Sequence, residues 1–370
     1  MEIPGLTTAL ILATLRDTRQ KGQVIPMSRA LITCEWFRVA DPRDKLYSII
    51  GFASSSFLVR PDYLTSVEEI YTELGHQLVV HERNLRSLHG AGIGWNQALA
   101  ELPSWVPDWT TTHAAISMGN VAGECYSRAS LDTAHTLGID GKRTLRVSGH
   151  AVCMIKALFP APTLGFSKTE PLIASHADLG ATTKLITTLR EFLYEGCIEK
   201  DLSDHLIDTS IALTLVAHSW NDEAEADTIK SFRCWDELNR EFVNDGGLAQ
   251  LINYAMLAEK SSHAADEVKL QKRGDFLRYA RLLGYFTKNR IAFGTSKHWL
   301  LGLGPPKAQV GDVVAVLHGA PTPHLLRPSK AMEVPNGTIQ TWRLVGDCYV
   351  HGIMNGEGMD LAPEQTFTLV

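Results

Sequence analysis

Cysteine is scarce and unpatterned: there are six in 370 residues (Cys34, Cys125, Cys153, Cys197, Cys234, Cys348), and no two form a CxxC pair. That spacing offers neither a zinc framework nor a dense disulfide scaffold, and it fits a reducing, intracellular setting. Basic charge is also in short supply. A formal net charge of -6 and a pI near 6.2 supply none of the surface that nucleic acids or anionic membranes attract, so no nucleic-acid partner is expected. Long apolar runs are missing as well. Beyond a short stretch from Ala9 to Leu15, nothing approaches the roughly 18–20 consecutive apolar residues needed to span a bilayer. Glu2 precedes that stretch where a secretory signal would carry positive charge, so it reads as an amphipathic helix, and the protein as cytoplasmic with no membrane span.

Catalytic signatures are absent in the same way. There is no GxSxG elbow and no HExxH, and no cysteine sits in the local signature of a cysteine enzyme. His76 and His81 lie five apart, off the helical same-face spacing of three or four, and no metal site is expected. Gly90-Ala91-Gly92-Ile93-Gly94 is glycine-rich but lacks the full GxGxxG pattern and a phosphate-binding lysine, so it reads as a loop. The expectation is no cofactor. Whether the chain is an enzyme stays open, with the balance against it.

What is present is ordinary globular composition, 45% hydrophobic and 21% charged, enough for roughly two to three domains. Helical spacing runs from Leu6 to about Asp17. Asp41-Pro42-Arg43-Asp44 reads as the capped start of a helix that Gly51 ends, and Ser66 with Glu69 reads as a capping box before the stripe Val67, Ile70, Tyr71, Leu74, Leu78. Two prolines in Leu102-Pro103-Ser104-Trp105-Val106-Pro107-Asp108-Trp109 forbid a regular helix, and two tryptophans want burial, so this segment is expected to be extended and packed. Thr144 to about Leu158 reads as a strand pair or a strand bent at Gly149. Five helices are expected next: Thr182 to Tyr194, Leu202 to Ser219, Ile229 to Val243, Leu248 to Glu259 and Glu267 to Leu283.

After Gly284 come short β-type runs, at Arg290 to Gly294, Trp299 to Gly302, Val310 to Leu317, His324 to Arg327, Trp342 to Val345 and Cys348 to Ile353, with Ala331 to Gly337 as a flexible loop. The predicted fold is α+β: a helical N-terminal and central body, then a C-terminal β-rich small barrel or curled sheet. The predicted divisions are 1–140, mainly helical; 141–284, a strand pair followed by a helical insert; and 285–370, β-rich.

Five of these segments together resemble one family. ADPRDKLYSIIGFA (Ala40 to Ala53), RPDYLTSVEEIYTEL (Arg60 to Leu74), LPSWVPDWT (Leu102 to Thr110), GLGPPKAQVGDVVAVLHGAPTPHLLRP (Gly302 to Pro328) and WRLVGDCYVHGIMNGEG (Trp342 to Gly358) are similar, in that order, to the region following the HET module in fungal heterokaryon incompatibility proteins. The module itself, marked in the family by segments such as YEALSYVWG, is not found. The resemblance therefore implies a truncated, non-catalytic regulatory or recognition portion of an incompatibility protein, serving non-self recognition and programmed cell death. Its partner would be a protein, a HET-type effector or an allelic recognition partner. The alternative is an enzyme or accessory of fungal secondary metabolism acting on a small apolar metabolite.

Should the C-terminal region bind a ligand, the candidates are Asp312, Arg327, His351 and Glu357; an imidazole and a carboxylate six residues apart are the minimum for acid–base work. Asp41, Arg43 and Asp44 could form a charged recognition site, Trp105 and Trp109 a stacking platform, and Leu206, Leu213 and Val216 a partner-docking face. Capping, core packing and internal burial are the preferred readings of all three.

Overall fold

The computed structural model describes residues 6–35, 37–52, 60–111, 118, 120–121, 124–125, 127–131, 133, 138–139, 143–161, 176–197, 203–217, 225–244, 264–334 and 337–370. Their helices are α1 (Leu6–Gln20), α2 (Met27–Thr33), α3 (Asp44–Ile50), α4 (Val67–Glu82), α5 (His176–Cys197), α6 (Asp204–Leu215), α7 (Glu225–Asn244) and α8 (Ala264–Thr287). Their strands are β1 (Asn120–Val121), β2 (Glu124–Cys125), β3 (Gly138–Ile139), β4 (Leu145–Pro160), β5 (Ile291–Thr295), β6 (Leu301–Gly304), β7 (Val313–Leu317), β8 (His324–Pro328), β9 (Met332–Val334), β10 (Gly337–Ile339), β11 (Thr341–Asp347), β12 (Tyr349–Val350) and β13 (Glu364–Leu369). The fold is mixed α+β, with helices early and centrally and strands concentrated after Gly284. The helix expected at Leu248 to Glu259 lies outside the described residues.

Two compact units interleave along the chain. One comprises Met1–Cys153, Gly311–Cys348 and Gly352–Val370; the other comprises Met154–Val310 and Tyr349–His351. In the first, a single apolar cluster takes Leu15 from α1, Met27 and Leu31 from α2, Leu46 and Ile49 from α3, and Leu74 and Leu78 from α4. The strands β4, β7, β11 and β13 add Leu145, Leu317, Leu344 and Phe367 to it. Both ends of the sequence thus share one core. Its sheet runs β4–β13–β11–β8–β7, and β7 pairs again with β4, where the His318 N–H donates to the Ser148 carbonyl at 2.9 Å. The sheet is therefore curled. β4 meets β7 closely enough that a Cβ at Gly149 would lie 2.4 Å from the Val316 carbonyl oxygen, which is why glycine serves there.

Two local expectations need correction. Asp41 does not cap α3: its carboxylate takes the Arg43 N–H at 2.9 Å and the Arg43 guanidinium, and a preliminary turn through Pro42 delays the helix to Asp44. Gly51 does end the helix, following Ile50 with φ -60. The residues flanking 335–336 are paired strands, β9 and β10, rather than a flexible loop, and β13 is a strand not among those expected from the sequence. The Ser66 cap does form, with the Glu69 N–H donating to Ser66 Oγ at 3.2 Å.

In the second unit, the end of β4 pairs with β5, β5 with β6, and β6 with β12. Beside them Tyr279 of α8 is fully buried, edge-on to Phe232 at 5.3 Å, with its hydroxyl donating to the Ala212 carbonyl at 3.0 Å. Arg190 of α5 reaches Asp208 of α6 at 2.9 Å and Asp236 of α7 at 2.8 Å, so one guanidinium pins three helices. Leu213 and Val216 are buried in this body, while Leu206 is 47% exposed; the stripe is mainly core.

Candidate functional site

The four residues expected at a ligand site are placed differently. Gly311 turns at φ 92 ahead of β7 and aims the next side chain, Asp312, at Arg327 on β8. Arg327 donates through Nε at 2.7 Å and Nη2 at 2.8 Å, a fork that engages both carboxylate oxygens of a side chain only 2% exposed. The pair is brought together, but as a bond between a turn and a strand. Glu357 accepts the Asn355 N–H at 2.8 Å and shapes its own turn. His351 Nδ1 lies 3.4 Å from the Tyr349 hydroxyl.

Several other polar residues of the family-like segments are engaged in holding the fold. Arg43 bonds bidentately to Asp41 and donates to the carbonyls of Tyr63 at 2.7 Å and Thr65 at 3.1 Å, with the Tyr63 ring 5.2 Å from its guanidinium carbon. The Tyr47 hydroxyl donates to the Asp62 carbonyl at 2.8 Å, so the first two segments are stitched together. Trp105 is buried with its Nε1–H on the Arg143 carbonyl at 3.1 Å, and Trp109 packs edge-on to Tyr71 at 5.1 Å. Ser104 Oγ donates to the Val370 carbonyl and accepts the Leu344 N–H at 2.9 Å, tying the third segment to β11 and the C-terminal residue. Burial pushes the Cys34 thiol up to about 11, the opposite of what a nucleophile requires.

Three buried histidines escaped sequence reasoning: His150 on β4 meets His318, just after β7 and far along the chain, and His324 on β8 stands apart from them. His150 Nδ1 contacts the Ala362 carbonyl at 2.7 Å, which makes that nitrogen the donor. His150 Nε2 then accepts from His318 Nε2, 3.2 Å away. Burial lowers the His318 pKa, opposed by Glu364 and reinforced by His150. Deeper in the same unit, His324 is 2% exposed and its Nδ1 has no hydrogen-bond partner among the described residues. Burial pushes its pKa down to about 4, against the attraction of Asp347 and a hydrogen bond to the Thr322 backbone.

The folded state therefore binds the His324 proton less readily than the unfolded chain. This contribution to stability is intact above the ordinary value of 6.5 and is lost as pH falls towards 4, by about 3 kcal/mol in all. His324→Leu is expected to remove that part of the acid sensitivity. Urea midpoints of parent and variant at about pH 7 and about pH 4.5 measure it, and equal losses in the two proteins would contradict the assignment.

The first unit also contains a cleft of about 540 Å³, lined by Arg83, Asn84, Arg86, Ser127, Arg128, Ser130, Thr133 and the turn Gly319-Ala320-Pro321. Arg83 follows α4 in a left-handed conformation (φ 50, ψ 34), which reverses the chain into the cleft wall. The turn is held from both sides: Leu85 N–H donates to Gly319 at 2.9 Å, Ala129 N–H to Pro321 at 3.0 Å, and Ser130 Oγ to Ala320 at 2.8 Å. Among the described residues no group of three or more histidine, cysteine, aspartate or glutamate side chains is placed to hold a metal ion, and no helix is long and apolar enough to cross a membrane.

The fold is that of a helical body followed by a curled C-terminal sheet, and residues 207–370 match the family model of the Het-6 beta-barrel domain. Over 365 residues the chain is 23% identical to heterokaryon incompatibility protein 6, OR allele, of Neurospora crassa, an alignment covering 90% of this chain and 51% of that protein. The chain thus spans about half the length of that curated relative. No solved structure matches. Both matches are similarities to a heterokaryon incompatibility protein or its domain.

Proposed function

We propose that the chain is a recognition or regulatory portion of an incompatibility system, acting in non-self recognition and the associated cell death through contact with a protein partner rather than by catalysis. The observation carrying this reading is where the polar residues of the family-like segments go. Asp41 and Arg43, Ser104, and Asp312 with Arg327 bond to one another or to backbone, so what those segments supply is a scaffold. The metabolic-enzyme reading asks instead for clustered, shifted titratable groups facing a pocket. His324 and Cys34 are shifted but buried, and neither lines the cleft.

Inducible expression in a filamentous fungus, alone and with a separately supplied HET module, tests this. Viability of cells carrying the chain alone, with altered killing by the co-expressed module, is the expected result. Death with the chain alone would overturn the non-catalytic reading, and unchanged killing would overturn the regulatory one.

A further inference from the structure

We infer that His150 and His318, backed by Glu364, hold a zinc ion where the two imidazoles meet. Their Nε2 atoms lie 3.2 Å apart. Two nitrogens bound tetrahedrally to one zinc, each roughly 2.0–2.1 Å from it, stand about 3.3 Å from each other, so the pair already has the spacing of two ligands on one ion. The outer nitrogens are anchored as well. His150 Nδ1 donates to the Ala362 carbonyl at 2.7 Å, and His318 Nδ1 faces Glu364 Oε1 at 4.0 Å, a gap the exposed glutamate side chain can close. A backbone carbonyl and a carboxylate are the groups that commonly orient a metal-binding imidazole from behind and raise its basicity.

Three strands build the pair. Glu364 of β13 stands directly across from His150 of β4. Gly149 lets β4 approach β7, and the bond from the His318 N–H to the Ser148 carbonyl fixes the residue just after β7. The ligands are therefore set on a rigid sheet before any ion arrives, which lowers the ordering cost of binding. Both imidazoles are buried, whereas the Glu364 side chain is 56% exposed, so the pair lies just beneath the surface and an ion has a short way in. Without a metal the inner nitrogens share one proton. With zinc both present lone pairs: the His318 proton passes through solvent from Nε2 to Nδ1, where Glu364 accepts it, and the carboxylate offsets part of the ion's charge. Imidazole nitrogen suits zinc, and two protein ligands leave the remaining tetrahedral positions to water. The ion cross-links β4 to the end of β7 and acts as an exchangeable clasp on the curled sheet.

The test titrates zinc chloride into the full chain by calorimetry and records melting curves with excess zinc or excess magnesium. Saturable zinc binding at micromolar concentration is expected, with a higher melting temperature in zinc but not in magnesium, which prefers oxygen ligands. His150→Gln and His318→Gln should each weaken that binding by about tenfold or more. Should either variant fail to fold, Glu364→Gln decides: its side chain is exposed, so the metal-free variant should melt with the parent, yet it should bind zinc about tenfold more weakly. No zinc binding, equal stabilisation by magnesium, or parental zinc affinity in the histidine variants or in Glu364→Gln would each overturn the inference.

Discussion

Asp108→Ala is expected to lower the unfolding free energy by about 4 kcal/mol, a large share of the roughly 5–15 kcal/mol that holds a typical domain. The Asp108 side chain is fully buried, and its carboxylate accepts from the Ala98 N–H at 2.6 Å, the Leu99 N–H at 3.0 Å and the Thr110 N–H at 3.0 Å, as well as from the Thr110 hydroxyl. Removing it strands several donors at once in a place where water must open the core to reach them. Asp108→Asn keeps one acceptor oxygen and turns the other position into a donor facing donors, so it should fall between parent and alanine. Denaturant midpoints at constant slope measure both. A loss under about 1 kcal/mol for the alanine variant would mean that the segment 97–110 is held by its tryptophans alone.

Gly92→Ala should be costlier than an ordinary left-handed glycine replacement, by about 3 kcal/mol or more. Gly92 has φ 122, and an added Cβ would lie 2.3 Å from the Val345 carbonyl oxygen and 2.8 Å from the Gly346 nitrogen. The crowding has a structural cause. Strand β11 bulges between Leu344 and Gly346 against β8, and on its other side Leu344 and Val345 accept the Ile93 and Gly94 N–H groups at 2.9 Å each. The loop is bonded to the bulge, and only a residue without a side chain fits between them. Gly22 is the control: φ is 76 but nothing lies within 4 Å, so Gly22→Ala should cost only about 1 kcal/mol. Melting temperatures separate the two, and equal shifts would remove the packing argument.

The glycines of the 90–94 run show how far a sequence can be read. Without phosphate-loop spacing they read as a loop, which is correct, but which glycine is irreplaceable depends on a bulge some 250 residues away. Asp41 shows the same limit at shorter range. Its position before Pro42 reads as the cap of the helix; its carboxylate does accept a backbone N–H, that of Arg43, together with the Arg43 guanidinium fork, but the turn through Pro42 puts the helix start at Asp44. Asp312 and Arg327 were legible as polar residues of a β-rich region. That they satisfy each other emerged only when Gly311 turned one towards the other.

The sequence by itself determined the α+β class, the positions of most helices and strands, the burial of Trp105 and Trp109, and the family resemblance. All of these follow from residue periodicity, proline and glycine placement, and contiguous segments that a linear reading can hold. The tertiary structure alone decided that the first 153 residues share a core with the last strands, that His150 meets His318, and that Arg83, Arg86 and Arg128 line one cleft. Each of these joins groups distant along the chain. No local propensity encodes such a pairing, since it forms only when apolar faces distant in the sequence are buried in one core.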